Sequence, residues 1–183
     1  MKKLLYFVCG LLALFLIIPV FLPSRVTFSR TTEIHKTPQE VFNLVADFNY
    51  YMQWNPWSQL EPTAKTTISG TPKEPGHNWS WVGQEIGTGS LTIEKVDPGK
   101  SIESRLEFKD PMEAVAKDLW SFEPTSAGTK VTWTYAGDMS YPIGRYFGLA
   151  MEGQLGPDFE KGLANIKTLA ESMPTMPDSA KAE

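Results

Sequence analysis

The feature that most constrains this chain is a long helical pattern near its C-terminal end, spanning about residues 144–172. After Pro157 the apolar positions recur at spacings of four, three and four residues, which places them on one stripe of a helix. These positions are Phe159, Leu163, Ile166 and Ala170. A single amphipathic helix must bury its stripe against another element. The rest of the chain therefore has to supply a surface that covers it.

That surface is predicted to be a sheet, because the sequence between about Arg25 and Gly137 is dominated by strands rich in Trp, Phe and Val. The first strand, 26–35, alternates with a period of two. Six more candidates follow, separated by short Pro- and Gly-containing breaks: 66–70, 78–82, 87–96, 101–108, 114–122 and 129–137. Breaks this short between neighbouring strands predict antiparallel pairing.

Two short helices are predicted between the first and second strands. Thr37 is suited to cap the first, Pro38 to occupy its first position, and Glu40 to complete a capping box. A second helical turn, 50–54, leads into Asn55-Pro56-Trp57. The order of elements predicts an α+β fold, in which a curved antiparallel sheet of about seven strands wraps around the long C-terminal helix.

At this level the chain resembles the START-related helix-grip superfamily, which includes lipid-transfer domains and plant pollen allergens, and in particular its polyketide-cyclase-like branch. The resemblance covers about residues 26–171. It is carried by Thr37-Pro38-Gln39-Glu40-Val41-Phe42, Trp54-Asn55-Pro56-Trp57, Gly87-x-Gly89, Val131-x-Trp133 and Gly156-x-x-Phe159-Glu160-x-Gly162-Leu163-x-x-Ile166-Lys167. It implies a cavity between sheet and helix that holds a ligand. It implies no catalytic residue, since the superfamily has none in common.

The N-terminus predicts a membrane anchor. Lys2 and Lys3 precede an uncharged run, 4–22, which as a helix spans roughly 28 Å, close to the hydrocarbon thickness of a bilayer. A cleaved secretory signal is the alternative, but the run ends in bulky residues and lacks the small-residue pattern of a cleavage site. We expect an uncleaved single-pass anchor at 1–24, a helix-grip domain at 25–172 and a flexible tail at 173–183.

The two lysines favour a cytoplasmic N-terminus, because positive charge is retained on that side. The expected location is therefore the inner (cytoplasmic) membrane, with the domain facing the periplasm or the outside. Arg25, Arg30 and Lys36 on the other side of the anchor weaken this bias.

Composition excludes several kinds of partner and site. The formal net charge of -4 and the lack of a Lys/Arg cluster argue against nucleic acid. The single cysteine, Cys9, lies in the apolar run, so an internal disulfide or a thiolate metal site is excluded. His35 and His77 have no nearby ligand partners in the sequence. We therefore expect no metal, no cofactor and no catalytic residue.

The aromatic residues of the strands are the best candidates for a ligand site. Trp79 and Trp81 share one face of a strand, as do Trp133 and Tyr135, while simple core packing is the alternative for each. Together they could line a cavity of roughly 300 to 1,000 Å³. The predicted lining residues are Trp79, Trp81, Trp120, Trp133, Tyr135, Met151, Glu152, Leu155 and Phe159. Glu152 is included because extrapolation along the helix from Phe159 places it near the apolar stripe, although a solvated position is the alternative.

The sequence thus favours a membrane-tethered protein that binds a hydrophobic or amphipathic small molecule or lipid without transforming it. Two alternatives remain open. The first is a cyclase- or hydratase-like enzyme that uses polar cavity groups, with Glu152 as the best-placed acid. The second is a protein-interaction domain whose cavity is collapsed.

Overall fold

The computed structural model describes residues 1–110 and 113–174. The chain begins with helix α1, Lys2–Ile17, and a 3₁₀ turn, Ile18–Phe21. Strand β1, Arg25–Ile34, is followed by three short helices: α2 (Pro38–Ala46), α3 (Phe48–Trp54) and α4 (Pro56–Leu60). Six strands and the long helix α5 complete the fold: β2 (Lys65–Ser69), β3 (Asn78–Val82), β4 (Thr88–Asp97), β5 (Ser101–Asp110), β6 (Ala114–Pro124), β7 (Thr129–Asp138) and α5 (Ile143–Ser172).

The seven strands form one antiparallel sheet in the order β1-β7-β6-β5-β4-β3-β2. Strands two to seven form a meander, and β1 joins it by pairing with β7, so that Phe28 lies opposite Tyr135. The register of β4 against β5 shifts between Thr88 and Gly89 and again between Ile93 and Lys95. Such irregularities increase the bend and twist of a sheet. The predicted curved, seven-stranded antiparallel sheet is confirmed.

Helix α5 packs its predicted stripe into the concave side of the sheet. Phe159, Leu163, Ile166 and Ala170 are all buried. The helix is continuous through Pro157, even though proline removes one backbone donor from its interior. Close approach to β7 depends on Gly162, because a Cβ there would lie 2.7 Å from the Trp133 ring and 3.2 Å from Pro56. The helix-grip arrangement is therefore confirmed.

The first short helix begins as the sequence predicts, whereas the second, predicted at 50–54, begins two residues earlier at Phe48. The Thr37 hydroxyl accepts a hydrogen bond from the Glu40 N–H, and the Glu40 carboxylate accepts one from the Thr37 N–H, which forms the capping box. The prediction of two short helices is incomplete, because Asn55 caps a third, α4, by accepting from the Trp57 N–H at 2.9 Å. The tail predicted at 173–183 lies outside the described residues from position 175 onward.

Candidate functional site

The interior of the domain contains a cavity of about 240 Å³. It lies between the middle of α5 and strands β3 to β7, under helices α3 and α4. Its volume is slightly below the range of roughly 300 to 1,000 Å³ that is usual for ligand pockets. Eight of its fifteen lining residues are aromatic. The site is thus an apolar chamber suited to a small molecule.

Six of the nine residues that the sequence proposed for a ligand site line this chamber. They are Trp79, Trp81, Trp133, Tyr135, Leu155 and Phe159. Trp79 and Trp81 lie with their ring centroids 4.5 Å apart, and Trp133 stacks on Phe159 at 3.9 Å. These contacts form two aromatic walls, one from β3 and one from β7 with α5.

The other three proposed residues lie elsewhere. Trp120 faces inward but is covered by Trp133, on which it stacks at 4.4 Å, and by Trp54. Met151 is half-buried and packs against the core. Glu152 lies at the surface with its side chain 58% exposed and accepts a hydrogen bond from Arg30 Nη1 at 3.0 Å. Glu152 is therefore solvated and does not point into the chamber.

Several lining residues were not singled out from the sequence. Helices α3 and α4 contribute Tyr51, Trp57 and Leu60. The turn before β4 contributes Glu85 and Ile86, and the sheet contributes Leu91, Leu106, Phe108 and Asp118. The period-two alternation of β4 and β5 could be read from the sequence, but the elements that lie over their inner face could not.

Asp118 is the chemically distinctive residue of the chamber. It lies in β6 on the same face as Ala116 and Trp120, and it is only 5% exposed. Its Oδ2 accepts a hydrogen bond from Trp120 Nε1 at 2.8 Å, and its Oδ1 accepts one from Trp133 Nε1. The two stacked indoles thus direct both of their N–H donors at one carboxyl group.

Burial raises the pKa of Asp118 from 3.8 to about 6. The desolvation of a charge in an apolar chamber favours the protonated form, and the two indole hydrogen bonds offset only part of this effect. Burial also raises the pKa of Tyr51, and the nearby charge of Asp118 raises it further. A carboxyl group with such a pKa exchanges protons within the physiological range.

A second polar feature of the walls is the indole N–H of Trp79. This atom is buried and has no hydrogen-bond partner within residues 1–110 and 113–174. A buried donor without an acceptor is costly in free energy. By contrast, the N–H of Trp81 donates to the Ile86 carbonyl at 3.2 Å.

The histidines are occupied by structural contacts. His77 is buried and stacks on Phe48 at 4.6 Å. Its Nε2 accepts from the Phe48 N–H, and its Nδ1 lies 3.0 Å from the Ser69 carbonyl, to which it donates. His35 lies at the surface beside Glu171. In the described part of the chain no three His, Cys, Asp or Glu side chains converge as metal ligands would.

The chain matches a known protein family. Residues 25–171 match the family described as polyketide cyclase / dehydrase and lipid transport. The chain belongs to this family. The match begins at β1 and ends one residue before the end of α5, so it covers the sheet and nearly all of α5 and leaves out α1. No curated protein matches the sequence.

Solved structures share the fold of this polyketide cyclase/dehydrase and lipid transport domain at low identity. A protein from Chromobacterium violaceum has a TM-score of 0.57 at 15% identity, covering 80% of this chain and 98% of its own. A putative uncharacterized protein from Rhizobium leguminosarum has a TM-score of 0.59 at 16% identity, covering 81% and 96%. The Aha1 dimer from Colwellia psychrerythraea has a TM-score of 0.57 at 14% identity, covering 80% and 97%. Such identities establish the fold alone.

The family and the fold are consistent with a ligand-binding domain.

Proposed function

We propose that this protein is a membrane-tethered binding protein that holds a hydrophobic or amphipathic small molecule in the chamber. The observation that carries the proposal is the 240 Å³ cavity lined mainly by aromatic side chains. A ligand that buries roughly 200 Å² of apolar surface gains on the order of 5 kcal/mol from leaving water, before the cost of its immobilisation. A hydrogen-bond acceptor on the ligand would give the Trp79 N–H the partner that it lacks.

The tether is supported by α1 and the 3₁₀ turn, whose apolar side chains are almost all exposed. The segment Lys2–Phe21 is long and apolar enough to cross a membrane, although a signal sequence has the same character. Residues at and just before the start of α5 bind the C-terminal end of this segment. Tyr141 Oη donates to the Leu16 carbonyl, Arg145 Nη1 to the Pro19 carbonyl, and Tyr146 Oη to the Phe15 carbonyl. Tyrosine and arginine are well suited to the membrane–water interface.

The tether is tested by intact mass and by alkaline extraction of membranes. We expect the full mass of 20.5 kDa in the membrane pellet. A shorter mature chain in the soluble fraction would show that the segment is a cleaved signal. Proteolysis of intact spheroplasts tests the proposed orientation, since an outward-facing domain is digested and a cytoplasmic one is protected.

Ligand binding is tested on the full chain by native mass spectrometry after mild extraction. We expect the wild type to carry a bound small molecule. Leu155→Trp fills the chamber from α5 and should abolish the extra mass. Leu149→Trp is the matched control, since Leu149 is exposed on the same helix and does not line the chamber. Equal occupancy in both variants would contradict the proposed site.

An enzyme remains the second candidate, and Asp118 is the observation that favours it. A general acid works best when its pKa lies near the operating pH. Asp118 has such a pKa and lines the chamber, whereas Glu152 does not line it. Turnover of a bound molecule that is lost in Asp118→Asn while binding persists would favour this candidate over simple binding.

A further inference from the structure

We propose that the ligand of the chamber carries a protonated amine and that Asp118 is the group that binds it. The inference rests on the proposed function, because it names the chemical class of the molecule held in the same cavity. It follows from three features of the chamber: an anion without a counter-ion, walls with acidic groups only, and aromatic faces around them.

The first feature is the incomplete pairing of Asp118. Across the described ranges its hydrogen-bond partners are the two indole N–H groups, and it forms no ion pair with Lys, Arg or His. A carboxylate has about four acceptor positions, so two indoles leave room for further donors. A buried charge is costly until it is paired. An ammonium group would supply both the missing charge and the missing donors.

The second feature is the charge of the walls. Glu85 and Asp118 are the two ionisable carboxyl groups among the lining residues described, and no basic side chain accompanies them. Glu85 is exposed and Asp118 is buried, so both an entering and a seated ligand meet negative charge. Such a field attracts cations and repels anions. It therefore disfavours fatty-acid carboxylates and phosphate groups as the part of the ligand that reaches inside.

The third feature is the aromatic surface beside the carboxyl group. Trp133 donates to Asp118 and is stacked between Trp120 and Phe159, so the rings that can face a cation are those of the other aromatic lining residues. Cations within about 6 Å of an indole or phenol ring are attracted to its face. The remaining walls are apolar and suit a short hydrocarbon or aryl body. The volume fits an arylalkylamine better than a long-chain lipid.

The experiment compares three probes of equal shape on the full chain in detergent micelles: phenethylamine, phenethyl alcohol and phenylacetate. Binding is followed by calorimetry, and Leu155→Trp in the same micelles provides the blank for partitioning into detergent. We expect the amine to bind about tenfold more tightly than the alcohol, because a hydrogen bond between an ammonium group and a carboxylate is stronger than one from a neutral hydroxyl. Phenylacetate should bind most weakly.

Two variants then assign the preference to one residue. Asp118→Asn should reduce amine affinity to the level of the alcohol while the alcohol is still bound, which also shows that the variant is folded. Glu152→Gln removes a carboxylate that does not line the chamber and should leave all three affinities unchanged. The wild-type ranking decides the inference by itself if Asp118→Asn does not fold.

The outcomes separate this inference from the proposed function. If the alcohol binds as tightly as the amine, or if Asp118→Asn keeps the preference, the amine assignment is overturned and the binding function stands. If none of the probes binds above the blank and native mass spectrometry shows no bound molecule, both fail.

Discussion

The two ends of the domain interior are built from similar residues and are packed differently. At what we term the solid end, α2 and the C-terminal part of α5 cover β1, β6 and β7. Its residues are at most 2% exposed: Ile34, Phe42, Phe122, Val131 and Ile166. At the hollow end, comprising the lining residues of β3, β4 and β5, the same kinds of side chain surround open space.

The difference lies in what covers the sheet. Helix α5 packs mainly along β1 and against the short helices, and α2 packs on β6. Strands β3 to β5 have no comparable helix against their inner face within the described residues. Their aromatic side chains therefore pack sideways on one another, as Trp79 does on Trp81. Aromatic content thus ensures that these residues are buried, whereas the covering elements decide whether the interior is filled.

The largest expected effect is on stability at the solid end. Phe42 is 1% exposed and meets Phe122 edge-to-face at 5.9 Å. Phe42→Ala should lower the free energy of unfolding by about 3 to 5 kcal/mol, because it opens a cavity in a close-packed region. Phe108→Ala is the matched change at the hollow end and should cost about 2 kcal/mol or less, since Phe108 is half-buried and already borders open space. Urea unfolding of both variants measures the contrast, and equal losses would contradict it.

The next effect concerns the pH dependence of Asp118, which lines the chamber from β6. The folded pKa of Asp118, about 6, lies above its unfolded value of 3.8, so the folded state binds its proton more tightly. This contribution to stability is fully present below pH 4, is lost as the pH rises towards 6, and is constant above that. The loss is about 3 kcal/mol from the pKa difference.

Asp118→Asn removes this titration. We therefore expect the free energy of unfolding of the variant to rise relative to wild type between pH 4 and 6 and to stay level at higher pH. The difference in the free energy of unfolding between variant and wild type excludes the contributions of other carboxylates. Glu61 and Glu103, whose pKa values are lowered, titrate in both proteins and cancel. A difference that does not change with pH would show that Asp118 is solvated.

A smaller effect on stability is expected at Gly89, whose backbone lies directly against the Trp81 ring. The two residues lie opposite each other in the sheet, and a Cβ at Gly89 would collide with the indole. Gly89→Ala should therefore cost about 1 to 3 kcal/mol and change the near-ultraviolet circular dichroism of the tryptophans. Gly153→Ala is the control, because a Cβ there meets nothing within 4 Å in exposed helix. It should stabilise the protein by about 0.5 to 1 kcal/mol.

Most of the fold could be predicted because it depends on periodicity and local signals. The α5 stripe, the capping box at Thr37 and the strand breaks are each encoded within a few residues. The third short helix was missed because α4 has only five residues. It is specified mainly by the Asn55 cap and by Trp57, which packs on Trp133.

The candidate site was predicted in part, because its chemistry depends on contacts between distant residues. Asp118 could have been noticed from the sequence, since it has the same parity as Trp120 and Phe122 in a strand with a buried face. Nothing local reveals that two indoles converge on it. For Glu152, the helical extrapolation gave its position along α5 but not its partner. The partner is Arg30 of the edge strand β1, which also binds Glu160.

The smallest effect on stability is expected at Glu152, a carboxylate that does not line the chamber. Glu152 is largely exposed, and its ion pair with Arg30 is weakened by water and salt. Arg30 also pairs with Glu160, at 2.8 Å through its Nε, and Glu152→Gln does not remove this second partner. We therefore expect Glu152→Gln to leave the urea midpoint unchanged within error from pH 4 to 8, where Asp118→Asn changes it. A clear loss of stability in Glu152→Gln would mean that this end of α5 is closed by the ion pair, and the division into a solid and a hollow end would then need a third, charged region.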